Sequence, residues 1–181
     1  MRLEVTSAAN FLVSLVRLKK TAAAIPQHQL DMLRENIIET LRLRYRDHWF
    51  PERPCKGSGY RCIRINGKID PLLAQAGEDS GIPATFLYTL FPSELTMWVD
   101  PSEVSYRIGE NGSICVLYDE RQIAESIRLA QLSPTPSSSS YVSTPSSSPG
   151  LDYSDSSCKL DFAMDARNIL AYEHMAAFVA S

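Results

Sequence analysis

Three short apolar runs at 95–99, 104–108 and 114–118, separated by turn chemistry, restrict the fold of this chain more than any other feature. Each has the length and composition of a strand. Asp100-Pro101-Ser102 links the first pair, and the glycine-rich Gly109-Glu110-Asn111-Gly112 links the second in a way that suits a hairpin. Links this short join antiparallel neighbours, so the runs predict a meander.

Upstream the period changes from two to about 3.6. Ala8, Phe11, Leu12, Leu15 and Val16 follow the spacing of one helical face. Lys19 and Lys20 close that helix, where cations complement its dipole. The apolar run 8–16 is not read as a signal peptide. Glu4 occupies the would-be basic region, and Arg17, Lys19 and Lys20 separate the run from the alanines at 22–24. No stretch reaches the length of a membrane span. A second helix is predicted from Pro26, with Leu30, Leu33, Ile37, Leu41 and Tyr45 along its apolar stripe. Pro51, Pro54, Gly57 and Gly59 mark a loop, followed by a strand over 60–65 and a turn at Asn66-Gly67. Asp70-Pro71 caps a short helix to about residue 76, and another is predicted over 83–90. The fold class is therefore α+β, with the two helices packed together or on a shared sheet.

Side chains alternate across a strand. Leu95, Met97 and Val99 share the core face of the first run, so Thr96, Trp98 and Asp100 share the other. That alternation leaves two readings of Trp98. It is a contact residue on an open face, since Trp leads the residues that dominate interface energy. Or a helix or the tail covers the face and Trp98 is core.

The chemistry search excludes several classes. There is no nucleophile elbow, P-loop or zincin motif, and Gly57-Ser58-Gly59 leads into a predicted strand instead of opening a helix. Cys55, Cys62, Cys115 and Cys158 form no metal-ligand pattern with the three histidines, so no metal and no cofactor is expected. Cys62 and Cys115 lie in apolar runs and read as small buried hydrophobes in a reducing compartment. Residues 1–70 carry 13 Lys and Arg against 7 Asp and Glu, whereas 71–118 carry one Arg against 6 acids. Arg42, Arg44, Arg46, Arg53, Lys56, Arg61 and Arg64, with Tyr45, Trp49 and Tyr60 among them, raise direct binding of single-stranded nucleic acid. The neighbouring acids and a pI near 5.6 disfavour it.

Two long segments add a resemblance. His48-Trp49-Phe50-Pro51-Glu52-Arg53-Pro54-Cys55-Lys56-Gly57-Ser58-Gly59-Tyr60-Arg61-Cys62-Ile63-Arg64-Ile65 resembles the first signature box of the BTG/Tob antiproliferative family. Phe91-Pro92-Ser93-Glu94-Leu95-Thr96-Met97-Trp98-Val99-Asp100-Pro101-Ser102-Glu103-Val104-Ser105-Tyr106-Arg107-Ile108-Gly109-Glu110 resembles the second. The resemblance covers residues 1–118. Its start at Met1-Arg2-Leu3-Glu4 is Tob-like, while 112–118 is closer to the short BTG members. Ser102 departs from the Tyr or Phe usual there.

This resemblance implies an N-terminal antiparallel helix pair and short helices packed with a small antiparallel sheet. It also implies a non-enzymatic adaptor in cytoplasm and nucleus. Its implied partner is the Caf/Pop-type nuclease subunit of the Not deadenylase complex, with poly(A) shortening and restrained proliferation as the outcome. It implies Tyr60, Asp70, Trp98 and Asp100 as the deadenylase-facing residues. Cytoplasmic poly(A)-binding protein, reached through the region after the second box, and transcription factors are further implied partners. A nuclear transcription co-regulator using the same surface is the alternative.

Beyond the domain, 119–132 reads as a helical extension. The stretch 133–159 reads as a disordered Ser/Thr/Pro-rich linker, and 160–181 as a short, partly apolar C-terminal segment. Ser133, Thr135, Thr144 and Ser148 each precede proline and are candidate phosphorylation sites.

Overall fold

The first helix, α1 (Arg2–Leu18), is apolar on nearly every side, not along one stripe. Val5, Ala9 and Val13 are buried together with the expected Ala8, Phe11, Leu12, Leu15 and Val16. A helix apolar all round must sit inside its domain. In the computed structural model, which describes residues 1–132, α1 packs on one side against α2 (Gln27–Tyr45) and on the other against the sheet. A 3-10 turn, Lys20–Ala24, joins the two helices, and Pro26 stands at the N-cap of α2. The α2 stripe is buried as the periodicity requires, with Ile38 added at its margin.

The sheet has four antiparallel strands in sequence order: β1 (Ile63–Asn66), β2 (Glu94–Asp100), β3 (Glu103–Ile108) and β4 (Cys115–Asp119). The α+β class and the meander are as the sequence pattern demands. Ile63, Ile65, Leu95, Met97, Val99, Val104 and Tyr106 form its core face over α1. The Phe11 and Tyr106 rings meet at 4.2 Å and clamp α1 to β3. Two small helices, α4 (Pro71–Asp79) and α5 (Ala84–Leu90), connect β1 to β2, and α4 packs on α2. A final helix, α6 (Glu120–Leu132), follows β4 directly.

One expected element is corrected. The strand predicted over 60–65 begins only at Ile63, and the preceding residues form a single helical turn, α3 (Ser58–Arg61). Gly57 starts that turn at φ 79°, a left-handed conformation open to glycine at little cost. The turn exists because Arg61 points inward, as described below. Strand alternation beginning at Tyr60 would have assigned Arg61 to a sheet face instead.

Candidate functional site

The site is organised around Arg61, which is 0% exposed. Its Nε donates to the Val99 carbonyl at 3.0 Å and to Asp100 Oδ1 at 3.2 Å. One terminal nitrogen donates to the carbonyls of His48 (2.6 Å) and Lys56 (2.8 Å). The other donates to the Pro54 carbonyl (2.6 Å) and to Asp100 Oδ1 (2.5 Å). A buried charge is tolerable only when paired and fully hydrogen-bonded, and here every guanidinium nitrogen is engaged. The result is a clamp that holds the proline-rich loop 48–57 against the end of β2. Trp49 adds an aromatic wall, with the Arg61 guanidinium 5.5 Å from its ring centre and the Tyr45 ring stacked 6.2 Å away. The Tyr45 hydroxyl donates to the Arg61 carbonyl at 2.6 Å, and burial pushes that phenol's pKa up.

Two of the four expected contact residues belong to this frame. Asp100 accepts from Arg61 through one oxygen and from Ser58 Oγ through the other at 2.7 Å, leaving its side chain 24% exposed. Asp70 is 7% exposed. Its Oδ1 caps α4 by accepting from the Leu72 amide at 3.0 Å, and its Oδ2 accepts from the Arg64 amide at 3.1 Å. Arg44 lies 3.5 Å from Asp70 Oδ1. Asp70 thus holds two backbone amides in place, while Asp100 holds the side chains of Arg61 and Ser58.

The other two are the aromatic face. Tyr60 is 47% exposed on α3. Its ring meets the His48 ring with centroids 3.7 Å apart at a 30° tilt, and the Arg44 guanidinium lies 5.5 Å over it. Arg44 therefore joins Tyr60 to Asp70, while Ser58 and Arg61 join α3 to Asp100. Trp98 is half-buried and takes no part in the hydrophobic core. It lies on the outer face of β2, in one row with Ser105 of β3 and the exposed Val116 of β4. Among the described residues Trp98 thus lies outside the hydrophobic core, on the strand face that alternation assigned to it.

Sequence reasoning did not single out Arg61, Arg44 or Ser58 as builders of this patch. Arg61 stands in sequence among the basic residues that raise nucleic-acid binding, and a lone Arg in a mixed segment gives no local sign of burial. Of the basic and aromatic residues read for nucleic acid, Arg61 and Tyr45 are fully enclosed, and Arg44 contacts Asp70 and Tyr60. Cys62 and Cys115 are half-exposed, not fully buried as expected, and Cys55 is exposed. Burial pushes the Cys62 thiol up, the charge of Asp70 adds to it, and Arg64 and Arg44 offset part of the effect. Ser133, Thr135, Thr144 and Ser148 lie outside the described residues.

Comparison with known proteins bears on the whole arrangement. The sequence profile of the BTG family matches residues 1–118. Human BTG1 is 53% identical over 116 residues, covering 64% of this chain and 66% of BTG1. Human BTG2 is 50% identical over 126 residues, covering 70% of this chain and 78% of BTG2. Human Tob1 is 41% identical over 118 residues, covering 65% of this chain but 33% of Tob1. A solved structure of the FOG-3 BTG/Tob domain from C. elegans has the same fold, with a TM-score of 0.56 at 20% identity. That match covers 73% of this chain and 98% of the FOG-3 chain.

Proposed function

The chain belongs to the BTG family, and we propose that it is a non-enzymatic antiproliferative adaptor. In this reading it binds the Caf/Pop-type nuclease subunit of the Not deadenylase complex, promotes poly(A) shortening and so restrains proliferation. The observation that carries the reading is the exposed Tyr60, oriented by His48 and Arg44 on a turn that Arg61 and Asp100 lock. An aromatic held in place before binding loses little rotamer freedom on docking, which is the condition under which it becomes a hot spot. Trp98 extends the same surface along β2. Asp70 and Asp100 shape it from beneath.

The test is the affinity of the full chain for the purified nuclease subunit. Trp98→Ala and Tyr60→Ala should each weaken binding by at least ~2 kcal/mol, or about thirtyfold in Kd, with unchanged melting temperatures. Wild-type affinity in both variants sinks the assignment. For cytoplasmic poly(A)-binding protein, the supporting feature is α6, where Ile123 and Ile127 lie one helical turn apart and are 46% and 54% exposed.

A further inference from the structure

At the opposite end of α1 from the Ser102 turn, the junction of α1, the 3-10 turn and α2 forms a groove of 390 Å³. Its floor is apolar, with Leu18, Ala22, Ile25 and Leu30 along it. Its walls carry Arg17, Lys19 and Lys20, and no carboxylate lines it. Among the described residues these three cations make no ion pair. The C-terminus of α1 explains part of their placement, but a helix end supplies only about half a negative charge against three positive ones. A groove of this size with an apolar floor and unneutralised cations fits a segment carrying both apolar side chains and carboxylates.

The chain contains one such segment. Residues 151–165 hold Asp152, Asp155, Asp161 and Asp165 against the single Lys159, interleaved with Leu151, Tyr153, Leu160 and Phe162. We propose that residues 151–165 dock intramolecularly in the groove between α1 and α2. The aspartates would neutralise Arg17, Lys19 and Lys20 while the apolar side chains cover Leu18 and Ile25. This docking is independent of the Tyr60 and Trp98 surface.

Reach is not an obstacle. The Ser102 turn, near which α6 begins, sits by Glu4 at the start of α1. The groove is therefore about 25 Å away along the 17 residues of α1, at 1.5 Å per residue. Even if α6 runs directly away from the groove, it adds only about 20 Å. The backbone from Leu132 to Leu151 can extend to roughly 60 Å, which exceeds their sum. Tethering also places the segment at an effective concentration on the order of millimolar, enough to populate a contact too weak to persist between separate molecules.

The experiment uses the full chain with a photo-crosslinking benzoylphenylalanine in place of the exposed Ala23 at the groove wall. The expected product is an internal crosslink within a monomer, mapped by mass spectrometry to 151–165. Its yield should fall at least ~5-fold in Lys19→Glu/Lys20→Glu, and also in wild type at high salt, which screens exposed charges. Adding Asp152→Lys/Asp155→Lys to the groove variant should restore it. Lys20 and Ala23 are exposed and Lys19 is half-buried, so an unchanged melting temperature separates loss of docking from loss of fold. A crosslink between two copies, a product mapping elsewhere, no product at all, or a yield indifferent to the charge reversals each overturns the proposal.

Discussion

A guanidinium with no solvent exposure is an expensive thing to fold around, and Arg61 shows how the cost is met. Its three nitrogens reach three loop carbonyls, the Val99 carbonyl and the Asp100 carboxylate, in directions that a planar fork alone supplies. An ammonium at the end of a flexible stem cannot reproduce that set. Arg61→Lys should therefore lose at least ~3 kcal/mol in urea unfolding, the scale for breaking a buried charge network. The loop 48–57 should become protease-sensitive first, because it is the segment the fork holds. A second consequence concerns thiols a few residues apart. Cys55 is exposed, while burial and Asp70 raise the Cys62 thiol above its ordinary value. Since the thiolate is the reactive form, iodoacetamide at neutral pH should modify Cys55 well before Cys62, as peptide mapping over time would show. Equal rates at the two positions would mean that the α3 turn opens readily.

The helix α4 exposes the dependence of an element on one side chain. Pro71 opens it without an amide to satisfy, and Asp70 accepts from the amide of Leu72. The same carboxylate also fastens the Arg64 amide of β1, so it couples a helix start to an edge strand. Asp70→Ala should cost ~1 kcal/mol for the cap, with more for the orphaned Arg64 amide. Asp70→Asn keeps an acceptor for the cap and should fall between alanine and wild type in thermal melting. If nuclease binding weakens in Asp70→Ala only in proportion to that instability, Asp70 acts as frame and not as contact. The β2–β3 turn is a second such joint. Ser102 sits at φ 70°, its amide donates to Glu4 Oε1 at 3.2 Å, and its hydroxyl donates to Glu120 Oε2 at 2.7 Å. Ser102 therefore links α1, the turn and α6 by hydrogen bonds.

Across the whole molecule, Glu4 connects the first turn of the chain to the far end of the sheet. Burial alone would raise its carboxyl. The amino terminus at 2.6 Å and the amides of Glu4 itself and Ser102 outweigh burial, and its pKa lies below the ordinary 4.5. A depressed acid contributes stability above its unfolded pKa and loses it as pH falls through the folded value. Stability should accordingly decline below about pH 4.5, and Glu4→Gln should flatten that part of the urea-midpoint profile while lowering stability near neutrality. An unchanged slope would show that Glu4 is not linked to unfolding. The two long helices, the meander and the strand face that carries Trp98 were legible in the sequence, although the helical turn α3 was not. They follow from periods of two and 3.6 and from turn residues, all local properties of a chain. The signature boxes likewise carried the family, because ordered motifs survive without coordinates. Three things were decided only by tertiary structure: the central position of α1, the inward turn of Arg61, and the hydrogen bonds that tie Asp70 and Asp100 into the structure. Each depends on groups distant in sequence meeting in a space that excludes water, and local periodicity contains no term for such meetings.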